Sequence, residues 1–270
     1  MSEELSIQAL LENVAESIRA RITTRPALIG LGGAQGSGKS YQSKAFAASH
    51  ENVAHFSMDD IYLTKREREA LAKSRHPLFA TRGPPGTHDL DLAKFVISEL
   101  NRAKPETETP IPRFDKKTDD RIAPDQWPKF KGRPDIILID GWCMGAVAPV
   151  GSPPEPMNGL EAQEDPHRIW RNHMLAPLAT QYPIFFRPFD AIVYLQAPGW
   201  EIVRAWRIEQ EVETQGRALT LTEVADIERF IEHYERVTRA MLAGQHRANW
   251  IVRLDESRNV IGIEQRLPSP

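Results

Sequence analysis

Residues 33–40 read GAQGSGKS, a glycine followed after four residues by glycine, lysine and serine. That spacing suits the gripping of a polyphosphate. Its glycines let the backbone curl so that successive N–H groups turn inward, and Lys39 carries a cation to the β and γ phosphates of a nucleoside triphosphate. Ser40 offers a hydroxyl to Mg²⁺. Gly33, Ala34, Gln35, Gly36, Ser37, Gly38, Lys39, Ser40 and Tyr41 together form the expected nucleotide site, with ATP and Mg²⁺ as the expected cofactors. A glycine turn closed by an exposed lysine would look similar, but here the apolar run ALIGL at 27–31 leads in and a helical stretch at 39–49 leads out. Strand, turn and helix in that order are the setting a phosphate loop requires.

Carboxylates follow two further strands. Asp140 ends the apolar run IILI at 136–139, where an acid can hold Mg²⁺ directly or through water, or merely cap a turn. Asp59 and Asp60 follow a strand at 52–57, and either can take the proton of an attacking alcohol, because parallel strands converge at their C-terminal ends. Arg82, His88, Arg113, Lys116, Lys117 and Arg121 punctuate two irregular loops and offer a lining for a carboxylate or phosphate on the acceptor. Singly, each cation also fits a solvated surface, and His88 fits a structural histidine. Arg204 and Arg207 lie three apart on a helical face, placed either to close over phosphates or to pair with Glu201 and Glu211.

The elements that position these groups follow from periodicity. Leu5, Ile7, Leu10, Leu11, Val14 and Ile18 predict a helix over 4–22. Further helices are predicted at 65–73, 89–102, 200–213 and 221–242, and one from 167 to 176 that Pro177 ends or bends. Strands are predicted at 191–195 and 250–254, the last closing the sheet. Residues 105–134, rich in proline and charge, read as an irregular loop anchored by Phe114, Trp127 and Phe130, and residues 146–165 as an irregular insertion. The expected fold is α/β, a P-loop NTPase three-layer sandwich with a mostly parallel sheet, helices on both faces and a helical lid. One domain spans 1–270, with an N-terminal helix at 1–25, a substrate-side loop at 105–134, an insertion at 144–187 and a lid at 198–220.

Composition narrows the partners. A net charge of −3 without single-sign blocks gives no nucleic-acid tail or membrane patch, and a small molecule is the expected substrate. The single cysteine, Cys143, leaves no intramolecular disulfide, the N-terminus lacks the order of a signal peptide, and no run approaches the about 18 apolar residues of a membrane span. A cytoplasmic protein is expected.

Several segments taken together (GAQGSGKS, SMDDIYLT, TRGPPGTHD, IPRFDKK with Arg121 and Trp127 downstream, IDGWCMG, and AWRIEQE before a late helix with Phe230 and Tyr234) resemble the D-glycerate 3-kinase family of plants and fungi and its bacterial relatives. That family lies within the phosphoribulokinase, uridine kinase and pantothenate kinase group. The resemblance implies an ATP-dependent kinase acting on D-glycerate or a similar small anionic alcohol. It implies Asp59 as catalytic base, with Asp60 secondary, and places Arg82 and His88 in the acceptor loop. Arg113, Asp115 and Lys116 fall in a PRYDK-like segment, and Arg204 and Arg207 in the lid helix. Two departures stand out: relatives often carry glutamate at the position of Asp140, and residues 144–187 have no quotable counterpart. Pantothenate, a nucleoside or a sugar-like alcohol remain alternative acceptors. A nucleotide-dependent switch or assembly factor remains the alternative from another class, although the absence of an NKxD segment argues against a GTP switch.

Overall fold

A computed structural model describes residues 6–151 and 154–266. Leu5, at the head of the expected first helix, and Ser152 and Pro153 of the expected insertion lie outside the described residues. The strands are β1 (Ala27–Gly33), β2 (Val53–Ser57), β3 (Glu108–Pro110), β4 (Phe114–Asp115), β5 (Asp120–Arg121), β6 (Lys129–Lys131), β7 (Ile136–Gly141), β8 (Ala191–Gln196), β9 (Trp250–Leu254) and β10 (Val260–Gln265). The helices are α1 (Ile7–Arg19), α2 (Lys39–Ser49), α3 (Lys65–Ser74), α4 (Leu90–Arg102), α5 (Gly159–Glu164), α6 (Ile169–Phe186), α7 (Trp200–Gln215) and α8 (Leu221–Leu242).

Six strands form the main sheet in the order β10-β9-β8-β1-β7-β2, parallel except for β10. Both faces are apolar, as a covered parallel sheet requires. Leu28, Ile137, Ile139, Ile192 and Tyr194 meet side chains of α4, α6 and α8 in one core. Ile29, Leu31, Leu138, Val193 and Leu195 meet α1, α2 and α7 in the other. The result is the three-layer sandwich expected from the alternation of strands and helices. Among the described residues, no helix is long and apolar enough to cross a membrane.

Four expectations need correction. Residues 105–134 are not irregular throughout: β3 pairs with β6 and β4 with β5, in strands of two or three residues, too short for alternation to register. The insertion contains α5, capped by Asn158, whose side chain accepts the Glu161 N–H at 3.0 Å. Helix α6 runs on through Pro177 and Pro183 to Phe186. A proline inside a helix costs about 3 kcal/mol, but each large apolar side chain buried returns about 1.5–3, and this helix buries Trp170, Met174, Leu178, Tyr182, Phe185 and Phe186. Finally, β9 does not close the sheet, because the antiparallel β10 lies outside it as the edge.

The segment 154–171 is held by charge as well as by apolar packing. Arg236 on α8 makes a two-pronged contact with Glu161 at 2.8 and 2.6 Å, and Arg171 Nε meets Asp165 at 2.9 Å and its terminal nitrogen Glu161 at 3.6 Å. All four side chains are 4% exposed or less, so removing one partner leaves charge stranded away from water. Glu161→Ala is expected to cost about 3–5 kcal/mol in urea unfolding. A loss below about 1 kcal/mol would mean that water enters the cluster freely.

Candidate active site

The sheet's register brings the predicted groups together. β2 and β7 run in parallel with Ser57 beside Asp140, and β1 places Leu31 beside Asp140 on the other side. The phosphate loop therefore leaves β1 next to the Asp140 carboxylate. Gly38 caps α2 in the left-handed region, with φ 83°, and Gly36 has φ 75°. A Cβ at Gly36 would fall 2.4 Å from the Cβ of Trp206 on α7, so glycine is needed there for space as well as for φ.

Asp140 is wholly buried and well partnered. Its Oδ2 accepts from the Ser40 hydroxyl at 2.8 Å and the Ser57 hydroxyl at 3.3 Å, and its Oδ1 meets His55 Nε2 at 2.8 Å. A hydroxyl and a carboxylate side by side form the hard-oxygen pair that suits Mg²⁺, which binds through few protein ligands and keeps several waters. The carboxamide of Gln35 and the hydroxyl of Ser37 are buried without a partner among the described residues, as a loop made for a polar ligand would leave them. Burial lowers the Lys39 ammonium below its ordinary range, opposed by the charges of Asp59 and Asp140.

Asp59 and Asp60 diverge in role. Asp60 Oδ2 accepts from the Ser57 N–H at 2.9 Å and from Arg113 at 3.0 Å, while Oδ1 lies 3.4 Å from the Phe114 N–H. Both oxygens of Asp60 are thus spent tying the end of β2 to β4. Asp59 instead accepts from the Tyr62 hydroxyl and Lys116 Nζ, each at 2.7 Å. Burial raises the Asp59 carboxyl, but Lys116 and Lys39 and the two hydrogen bonds outweigh it and hold the group well below the usual carboxylate range. It is ionised at neutral pH.

No protein-family model matches the chain. It is 31% identical over 227 residues to the kinase mug58 of Schizosaccharomyces pombe, covering 78% of this chain and 79% of that one. The chain belongs to the family of P-loop kinases that includes D-glycerate 3-kinase. The chloroplastic D-glycerate 3-kinase of Arabidopsis thaliana is 25% identical over 228 residues, or 80% of this chain, which spans only 48% of that longer protein. The solved structure of D-glycerate 3-kinase from Cryptococcus neoformans shares the fold with a TM-score of 0.73 at 20% identity, covering 97% of this chain and 99% of that one.

Within this P-loop kinase the loop cations are mostly engaged by the protein's own carboxylates. Arg82 pairs with Asp119 and lies between the Phe114 and Phe230 rings, at 5.7 and 5.8 Å. Arg121 meets Asp89 at 2.9 Å, and Asp115 accepts from the Lys117 N–H and the Thr118 hydroxyl at 2.9 Å, closing the turn between β4 and β5. His88 Nδ1 lies 2.7 Å from the Tyr182 hydroxyl, its Nε2 has no partner among the described residues, and burial lowers it to about 4 against the pull of Asp59. The ring is neutral at neutral pH and adds no charge to an anion-binding lining. Arg204 contacts Glu201 at 3.3 Å and Glu228, and Arg207 meets Glu211 at 2.8 Å, so the helix-face pairing weighed as the alternative is present. Arg204 lines a cleft of about 240 Å³ with Trp200, Glu228, Glu232 and Arg239, and no residue of 33–40 is part of its lining. The charge of Arg207, by contrast, is felt by Tyr234 beside Arg82.

Sequence reasoning missed His55, Tyr62 and Asp119. His55 carried a usable signal, a polar residue inside the second buried strand, whereas Asp119 shows its use only after the chain folds back. Lys116 is the least enclosed member of the cluster, with its side chain 63% exposed against 26% for Asp59, so solvent screens the pair. The folded Asp59 carboxyl lies below its unfolded value, so the pair's contribution is whole above about pH 3.9 and disappears only as pH falls through the folded value. Removing the Lys116 charge by Lys116→Met should move the acid limb of the kcat/KM profile to higher pH. A superimposable profile would mean that Asp59 is held down by Lys39 alone or is not the titrating base.

Proposed function

We propose that this kinase transfers the γ-phosphoryl group of MgATP to the hydroxyl of a small anionic alcohol, with D-glycerate the first candidate. The observation that carries this reading is the ionised Asp59 carboxylate within charge range of Lys39 and hydrogen-bonded by Tyr62 and Lys116. Residues 33–40, with Tyr41 at the start of α2, hold the triphosphate, and Lys39 bridges its β and γ groups. Ser40 and Asp140 would hold Mg²⁺, which would supply positive charge against the phosphates. The acceptor oxygen forms the new bond to phosphorus as the bond to the β-bridging oxygen breaks. The hydroxyl proton passes to Asp59, and ADP leaves.

Lys116 is the cation proposed for the acceptor's anionic group: like Arg82, Arg113 and Arg121 it is paired with a carboxylate, but its side chain is 63% exposed, more than that of any of the three arginines. Arg207 is the lid arginine proposed to meet the developing charge, and Arg204 is left to its glutamates. The names of the plant and Cryptococcus relatives favour glycerate over pantothenate or a nucleoside. A single buried cysteine suits the cytoplasm.

A coupled ADP-release assay with MgATP and D-glycerate, L-glycerate, pantothenate, uridine and ribulose 5-phosphate tests the reading. D-glycerate is expected to stimulate turnover, with Asp59→Asn lowering kcat by about 10²- to 10⁴-fold while MgATP still binds. Lys39→Ala is expected to lose about a hundredfold or more. Full activity of Asp59→Asn would move the base elsewhere. ATP binding without stimulation by any acceptor on the panel would favour a nucleotide switch.

A further inference from the structure

The turn between β9 and β10 reaches the phosphate loop from the outside. Arg258 Nε donates to the Gly36 carbonyl at 2.7 Å, across 222 residues of sequence. The guanidinium lies 5.0 Å from the centre of the Trp206 ring and also pairs with Glu209 on α7. Trp206 returns the contact: its indole N–H donates to the Glu256 carbonyl at 2.7 Å. Asp255 sets the turn, with its Oδ1 accepting the Ser257 and Asn259 N–H groups at 2.9 and 2.8 Å.

Arg258 has φ 68°, a left-handed conformation that glycine adopts at lower cost. A side chain kept at such a position is held by what it contacts, and the contacts here are a phosphate-loop carbonyl, an aromatic face and a carboxylate. A peptide group is planar, so fixing the Gly36 carbonyl also fixes the direction of the Ser37 N–H, which closes the loop's inner turn onto the Ala34 carbonyl at 3.2 Å. The hydrogen bond is charge-assisted and shielded on one side by Trp206.

We propose that Arg258 is a positioning residue for nucleotide binding, which holds the Gly36–Ser37 peptide, and with it the inner turn that shapes the phosphate loop, in place and makes the β9–β10 turn part of the nucleotide site. The inference rests on residues 33–40 being that site and is independent of the acceptor. It is tested by titration calorimetry of the full chain with MgATP in the absence of any acceptor, alongside thermal unfolding. Arg258→Gly removes the clamp but relieves the backbone, so affinity should fall about five- to tenfold while Tm holds or rises. Arg258→Lys, which keeps a cation, should recover part of the affinity. Wild-type affinity in Arg258→Gly, or a loss matched by a fall in Tm, would overturn the proposal. A wild-type chain that binds no MgATP would overturn the nucleotide reading itself, and this inference with it.

Discussion

Burying a carboxylate at the end of a central strand is costly unless its oxygens are met, and the Asp140 carboxylate is met from three sides. Ser40 comes from the start of α2, and His55 and Ser57 from β2, all to an acid carried by β7. Each partner lies on β2 or on the helix that follows β1, so these contacts form only when β1, β7 and β2 stand in their parallel register. The same register aligns the C-terminal ends of the strands, where the phosphate loop emerges and the Ser57–Asp60 turn begins. The partners of the Asp140 carboxylate and the sheet topology are thus one constraint.

Charge pairing does for the loops what register does for the strands. Asp60 ties β2 to Arg113, Asp119 joins Arg68 and Arg82, and Asp89 receives Arg121 at the head of α4. These loops are anchored by a few buried apolar side chains, among them Leu78, Phe79, Ile111 and Phe114, and partly buried ion pairs with backbone contacts fix the stretches between them. The consequence for binding is that most loop cations face protein carboxylates. Lys116 and Lys39 are both coupled to Asp59.

The long periodic elements were legible. Leu221–Leu242 has the expected bounds because an apolar repeat over several turns cannot be mistaken for loop, and Lys39–Ser49 has them because the glycine turn before it marks where a helix starts. The glycine turn and the place of Asp140 were legible because each stands at the end of an apolar strand. Short-range patterns fared worse. The two-residue strands at Phe114 and Asp120 carry no period, β10 is an exposed edge with a glycine in it, and the prolines of α6 signal a stop that six buried side chains override. The loop arginines were visible as charges, but their partners were not: Asp119 lies 37 residues from Arg82, and only the folded chain brings them together.

The α7–α8 hairpin links the two halves of the site. Trp206 of α7 rests against Gly36 of the phosphate loop, while α8 sends the Tyr234 hydroxyl to the Arg82 carbonyl at 3.0 Å and the Phe230 ring to the Arg82 guanidinium. Burial raises the Tyr234 hydroxyl well above its ordinary value, so it stays protonated and keeps donating across the physiological range. A packed helical pair that touches both the phosphate loop and the loop of Arg82 couples their positions, because neither can shift without disturbing a packed aromatic contact. Precision in phosphoryl transfer is then a property of the packing around the site as much as of the residues that face it.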